Sequence, residues 1–274
     1  MKTKGLVLVL CLFMTLGVAA KEVNGNGNIV TKEVSVSSYE SIEIGRGINK
    51  YSDIRTLFKG KENPKFRYSQ TEGAAKLTIS IDENLFPLLE ITSSDGVLVI
   101  ETGKDIKIGP TKMEIIASSV GLKDVKVSGC MDFELMTPLT ADNLTIAVSG
   151  IGNTLMAHPV QVNTLAVSIS GVGELRANNL TCGQISGNVS GTGSLKLVGK
   201  AESAKFSVSG TGNIEAYGFN VKEADVRVSG VGRVDVYASE SLNATASGVG
   251  SINYKGNPAS VETNKSGVGS IKAN

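Results

Sequence analysis

Leu144-Thr145-Ile146-Ala147-Val148-Ser149-Gly150-Ile151-Gly152 returns twenty-one residues later as Leu165-Ala166-Val167-Ser168-Ile169-Ser170-Gly171-Val172-Gly173, and these two stretches decide the fold. In each, apolar residues take every second position up to a Ser-Gly-x-Gly tetrad, the period-2 signature of a strand with one buried face. The tetrad serines stand at 149, 170, 190, 209, 229, 247 and 266, with a degenerate copy at Ser128-Gly129-Cys130. Counted from Ser128, the steps are 21, 21, 20, 19, 20, 18 and 19 residues, a single period.

A second apolar pair follows the tetrads at a fixed offset, as in Phe133/Leu135, Leu175/Ala177, Leu195/Leu197, Ile214/Ala216 and Val234/Val236. A looser third position follows at Leu139, Val160, Leu180 and Phe219. Three short sides in about 20 residues is the geometry of an all-β parallel β-helix, a β-solenoid. The few inward side chains of one coil cannot offset the entropy of ordering about 20 residues, so the coils must stack. At about 4.8 Å per step, eight motifs make a rod about 40 Å long. Glycine at the corners is expected to supply positive φ, and the serines to form a ladder of hydroxyls along one edge. The last inward position before each tetrad reads Val127, Val148, Ile169, Val189, Val208, Val228, Ala246 and Lys265, a column that shrinks and then becomes charged, as expected of a terminal coil.

Upstream, Lys2 and Lys4 precede an apolar run from Leu6 to Val18 and the small pair Ala19-Ala20, which reads as an export signal cleaved after Ala20. Cys11 lies inside that run without the small residues expected before a lipidated cysteine, so lipidation there is not expected. No later segment approaches the roughly 20 apolar residues of a membrane span. Cleavage takes two lysines from the 27 basic residues and leaves 25 against 26 acidic ones. A balance that near zero excludes a protein built to coat nucleic acid or anionic membrane. Residues 21–120 lack the tetrad but keep short alternating runs, with Asp95-Gly96 as a hairpin signal between Leu88–Ile91 and Val97–Ile100. The expected organisation is a signal peptide over 1–20, an irregular β segment over 21–120 that caps the solenoid, and the repeat solenoid over 121–274.

The run Ile79-Ser80-Ile81-Asp82-Glu83-Asn84-Leu85-Phe86-Pro87-Leu88-Leu89-Glu90-Ile91, then Asp95-Gly96-Val97-Leu98-Val99-Ile100, then repeated Val-Ser-Gly-x-Gly coils, resembles the bacterial auto-transporter adhesin head GIN-domain family. The resemblance covers most of the mature chain. It implies an exported protein of Gram-negative bacteria with a right-handed parallel β-helix and no established biochemical activity. The family's name implies a membrane barrel after the last coil, and on this reading none is expected here.

Candidate chemistry is sparse. The residues after the tetrads are Asn153, Glu174, Ser194, Asn213, Arg233, Ser251 and Ser270, which is not the carboxylate ladder of a calcium β-roll. Isolated outward charges such as Asp225 and Arg227 read as solvated surface, and adjacent Asp82 and Glu83 would face opposite ways on a strand. His158, the only histidine, precedes Pro159 and has no second ligand in sequence for a zinc site. Cys130 and Cys182, about two and a half coils apart, are too distant to bridge and read as buried thiols. One segment stands out by charge. Arg46, Lys50, Arg55, Lys59, Lys61, Lys65 and Arg67 face only Asp53 and Glu62 in sequence and are interleaved with Tyr51, Phe58, Phe66 and Tyr68. This is a candidate contact for an anionic partner, set against a solvated edge whose lysines discourage strand pairing.

The leading expectation is therefore a non-enzymatic, adhesin-like or cell-envelope interaction protein that uses a rigid solenoid as a display scaffold. It would be periplasmic, at the cell surface or extracellular, with a glycan or a host or cell-surface protein as partner and with no cofactor, metal or nucleic acid. The alternatives are a carbohydrate-active β-helix enzyme and an envelope structural protein without an external ligand.

Overall fold

The computed structural model describes residues 20–49 and 62–274, so all of the expected export signal except Ala20 lies outside the described residues. The described chain is all-β, with one short 3-10 turn at Phe86–Leu88. It winds as a β-solenoid of about eight turns with coils of about 20 residues. On the first side, before the tetrads, the residues from Val127 to Lys265 named above stack in parallel register. On the second, after the tetrads, Phe133, Thr154, Leu175, Leu195, Ile214, Val234, Ile252 and Ile271 align. On the third, Leu139, Val160, Leu180, Gly199 and Phe219 align. The first two columns are buried except near their C-terminal ends, where Lys265 is exposed and Ile271 only half-buried. Every residue of Ser260–Lys265 is exposed.

The corner glycines are there for a different reason from the one the sequence suggests. Among the tetrad glycines only Gly152 has a positive φ, 154°. The requirement comes from the coil below. A Cβ on Gly171 would sit 1.9 Å from the carbonyl oxygen of Gly150, and one on Gly210 would sit 2.2 Å from that of Ser190. Corner backbones stack directly on one another, tied by bonds such as Thr211 N–H to Gly191 O (3.1 Å) and Val231 N–H to Gly210 O (3.0 Å). Any side chain there would hold the coils apart.

Toward the N-terminus the stacking continues but chain order and spatial order part. On the first side Ser41–Ile44 lies between Val97–Thr102 and Asp124–Val127, parallel to both. On the second side Lys65–Gln70 lies between Met113–Ser119 and Asp132–Leu135, again parallel to both. Ser41–Ile44 and Lys65–Gln70 are thus each inserted between two strands that follow them in sequence. Phe66 stacks on Phe133 across this junction, with ring centroids 5.6 Å apart. Beyond the outermost of these coils the pairing turns antiparallel. Leu89–Ser94 joins Val97–Thr102 through the two-residue turn Asp95-Gly96, both at positive φ (51° and 76°), as a tight hairpin requires. Ile29–Val34 and Lys76–Asp82 add antiparallel strands beside Met113–Ser119.

Asp82 ends the second of these strands with its side chain fully buried. Its carboxylate accepts the N–H of Gly27 (2.7 Å), the N–H of Thr111 (2.8 Å) and the Thr111 hydroxyl (2.6 Å). One carboxylate thereby ties three separate segments together. Burial opposes its ionisation, but the Thr111 and Gly27 hydrogen bonds outweigh that and hold its pKa below the ordinary value.

Candidate functional site

The basic segment picked out by charge is only partly in view. Lys50, Arg55, Lys59 and Lys61 lie outside the described residues. Each of the other three meets a glutamate, Lys65 one from within the segment itself and Arg46 and Arg67 ones from strands elsewhere in the fold. Arg46 Nε is 3.7 Å from Glu101 Oε2, and Lys65 Nζ is 2.8 Å from Glu62 Oε2. Arg67 lies between Glu114 and Glu134, with its Nε 3.0 Å from Glu134 Oε2. The Glu134 hydrogen bond raises the pKa of Arg67, and the Glu62 hydrogen bond raises that of Lys65. Both line an open groove of about 450 Å³ with Thr111 and Lys112. The outward column that contains Arg67 continues as Glu134, Leu155, Arg176, Lys196, Glu215 and Asp235. Arg176 and Lys196 both pair with Glu174, so most of the charge on this side is neutralised within it.

A second feature lies on the outer face of the first side. Residues six positions before the tetrad serines form the column Thr164, Gln184, Ser203, Glu223, Ser241 and Ser260. Residues four positions before form Ser186, Lys205, Asp225, Asn243 and Glu262. Between them runs a trough of about 500 Å³, open to solvent and spanning six coils. Strand alternation explains its polarity, because the residues between these positions, Ile185, Ala204, Ala224 and Leu242, turn inward and are buried. Asp225 is half-buried there. Its Oδ2 lies 3.0 Å from Arg227 Nη2, while its Oδ1 is buried with no hydrogen-bond partner among the described residues. Asp124 repeats the arrangement beside Lys126 in the same column, outside the trough.

A third feature is the corner itself. The tetrad x positions Ile151, Val172, Val231, Val249 and Val268 are 49, 52, 56, 63 and 86% exposed, with Thr192 and Thr211 between them. The tetrad serines run beside this ridge, and Ser149 Oγ approaches Ser128 Oγ at 3.4 Å.

Nucleophile and metal chemistry find little support in these features. Among the described residues there is no group of three or more His, Cys, Asp or Glu side chains placed to hold a metal ion. Cys130 and Cys182 are buried thiols, and burial pushes the Cys182 thiol up to about 11, which suppresses the reactive thiolate. His158 is exposed. Among the described residues no helix is long and apolar enough to cross a membrane.

Sequence reading missed the trough because its residues are isolated polar positions when read along the chain. The signal was available in a different alignment: counting four and six residues back from each tetrad serine lays out both columns directly.

The family described as "Putative auto-transporter adhesin, head GIN domain" matches residues 62–258. Among solved structures, a "putative lipid binding protein" from Parabacteroides distasonis ATCC 8503 is 28% identical with a TM-score of 0.83, over 93% of this chain and 100% of its own. A "putative adhesin" from Parabacteroides merdae ATCC 43184 is 30% identical with a TM-score of 0.78, over the same shares of the two chains. A "putative adhesin" from Bacteroides fragilis NCTC 9343 is 28% identical with a TM-score of 0.67, over 92% of this chain and 100% of its own. No curated protein matches the chain.

Proposed function

The chain belongs to the auto-transporter adhesin head GIN-domain family, and on that premise we propose that it is an exported, non-enzymatic interaction protein of the cell envelope whose solenoid displays binding surfaces. The observation that carries this reading is the unbroken register of the outer face of the first side. Side chains four and six positions before each tetrad serine recur coil after coil on a rigid parallel sheet, a geometry suited to holding an extended partner. Relatives named as adhesins support the same reading. Within it, residues 1–20 are a removable leader, residues 21–120 close one end of the rod, and residues 121–274 form the display surface. The partner is a glycan or a cell-surface protein.

The test is protease digestion of an epitope-tagged protein on intact cells, with lysed cells as the control. Digestion on intact cells is the expected result. Protection there, with digestion after lysis, would confine the protein behind the outer barrier and sink the adhesin-like role.

A further inference from the structure

We propose that the trough on the first side is the binding site for an uncharged polysaccharide strand lying along the solenoid axis; this deepens the interaction-protein reading and rests on it. Three observations converge. The first is periodicity. The trough presents polar groups once per coil, at the roughly 4.8 Å spacing of paired strands, a distance comparable to the length of one sugar in an extended glycan. An extended peptide advances about 3.3 Å per residue, so it falls out of step. The trough is also a sheet face with its backbone already paired, which leaves no strand edge for a peptide to join.

The second observation is the kind of side chain. Gln184, Glu223, Asp225 and Asn243 end in planar groups with two polar atoms each, which suit the adjacent hydroxyl pairs of a sugar. Ser186, Ser203 and Ser241 add hydroxyls that donate or accept as required. The third is charge. Glu223, Asp225 and Glu262 outweigh Lys205, so the trough opposes an acidic polymer and tolerates a neutral one. The Arg227 pair holds the Asp225 carboxylate in place beside the trough. No aromatic side chain lines the trough, so binding rests on hydrogen bonds repeated along the strand.

The experiment is native affinity electrophoresis of the mature protein through gels that contain dextran, a mixed-linkage β-glucan or galactomannan. Alginate and polygalacturonate serve as acidic comparators. The wild type is expected to be retarded by at least one neutral polymer and not by the acidic ones. The double variant Asp225→Ala/Asn243→Ala should bind about tenfold more weakly. The near-isosteric Asp225→Asn and the trough-filling Ser203→Trp should weaken binding too, while Val231→Ser on the corner ridge should leave it unchanged. Far-UV circular dichroism establishes that each variant is folded. The proposal is overturned if no neutral polymer retards the wild type, if only acidic polymers do, or if folded trough variants are retarded as strongly as the wild type. Surface exposure is read separately by protease digestion. Digestion on intact cells together with unaffected trough variants removes the trough and keeps the interaction role, whereas protection on intact cells removes the role itself.

Discussion

Replacing Gly210 with alanine tests the packing logic of the whole rod. The new Cβ would stand 2.2 Å from the Ser190 carbonyl oxygen and 2.4 Å from that of Gly191, both backbone atoms of the coil below. Relief requires the corner to rise by about 1 Å. The bonds that would stretch are Ser209 N–H to Val189 O (3.0 Å) and Thr211 N–H to Gly191 O (3.1 Å). Overpacking of this kind costs about 1–3 kcal/mol, and each weakened backbone hydrogen bond adds about 0.5–1.5 kcal/mol. Together they give a loss of about 2–6 kcal/mol. At about 2–4 °C per kcal/mol for a chain of this size, that lowers the thermal midpoint by about 4–24 °C. The comparison variant is Gly73→Ala, where a Cβ meets nothing within 4 Å; it should be neutral or slightly stabilising through a less flexible unfolded chain. Thermal and urea unfolding followed by far-UV circular dichroism decides the matter. A Gly210→Ala protein as stable as the Gly73→Ala protein would show that the corners have slack and that backbone contact is not why glycine stands there.

Asp82 gives a prediction in pH. Its carboxyl titrates below the ordinary value of about 4, so its contribution to stability is present above that value and is lost as pH falls through the lower folded-state value. Asp82→Asn should cost about 1–3 kcal/mol at neutral pH and flatten the loss of stability as pH falls below about 4; urea midpoints across the acid range check it, and an unchanged acid profile would refute the assignment. The basic segment gives another. Arg46, Lys65 and Arg67 already meet glutamates, so an anionic partner would have to be recognised through Lys50, Arg55, Lys59 and Lys61. The wild type and Lys59→Glu/Lys61→Glu should therefore pass an acidic-polysaccharide column alike, and retention of the wild type that the double variant loses would establish the anionic contact instead.

The tetrad spacing and the alternation around Val148, Ile169 and Val208 made the solenoid legible, because a stacked coil repeats its own constraints at every turn. Asp95-Gly96 was legible for a similar reason, since few residue pairs accept two successive positive φ values. What stayed hidden depends on contacts between distant segments. Nothing local in Ser41–Ile44 or Lys65–Gln70 says that these strands pack between two later ones. The partners of Arg67, Glu114 and Glu134, lie 47 and 67 residues away. The glycine columns were recognised but misexplained: one chain read alone points to backbone freedom, and only the coil below reveals the shortage of space.

The insertion of Ser41–Ile44 and Lys65–Gln70 between their successors bears on mechanical load. From residue 124 onward sequential coils are spatial neighbours, so tension applied at the C-terminal end can peel them away one turn at a time, each rupture exposing the next edge. At the other end that route is blocked. Ser41–Ile44 and Lys65–Gln70 are each gripped along both edges, so extracting them means shearing two rows of hydrogen bonds at once. The rod therefore has a tearable end and a clamped end, and a pull along it would be absorbed by successive coils before it reached the clamp.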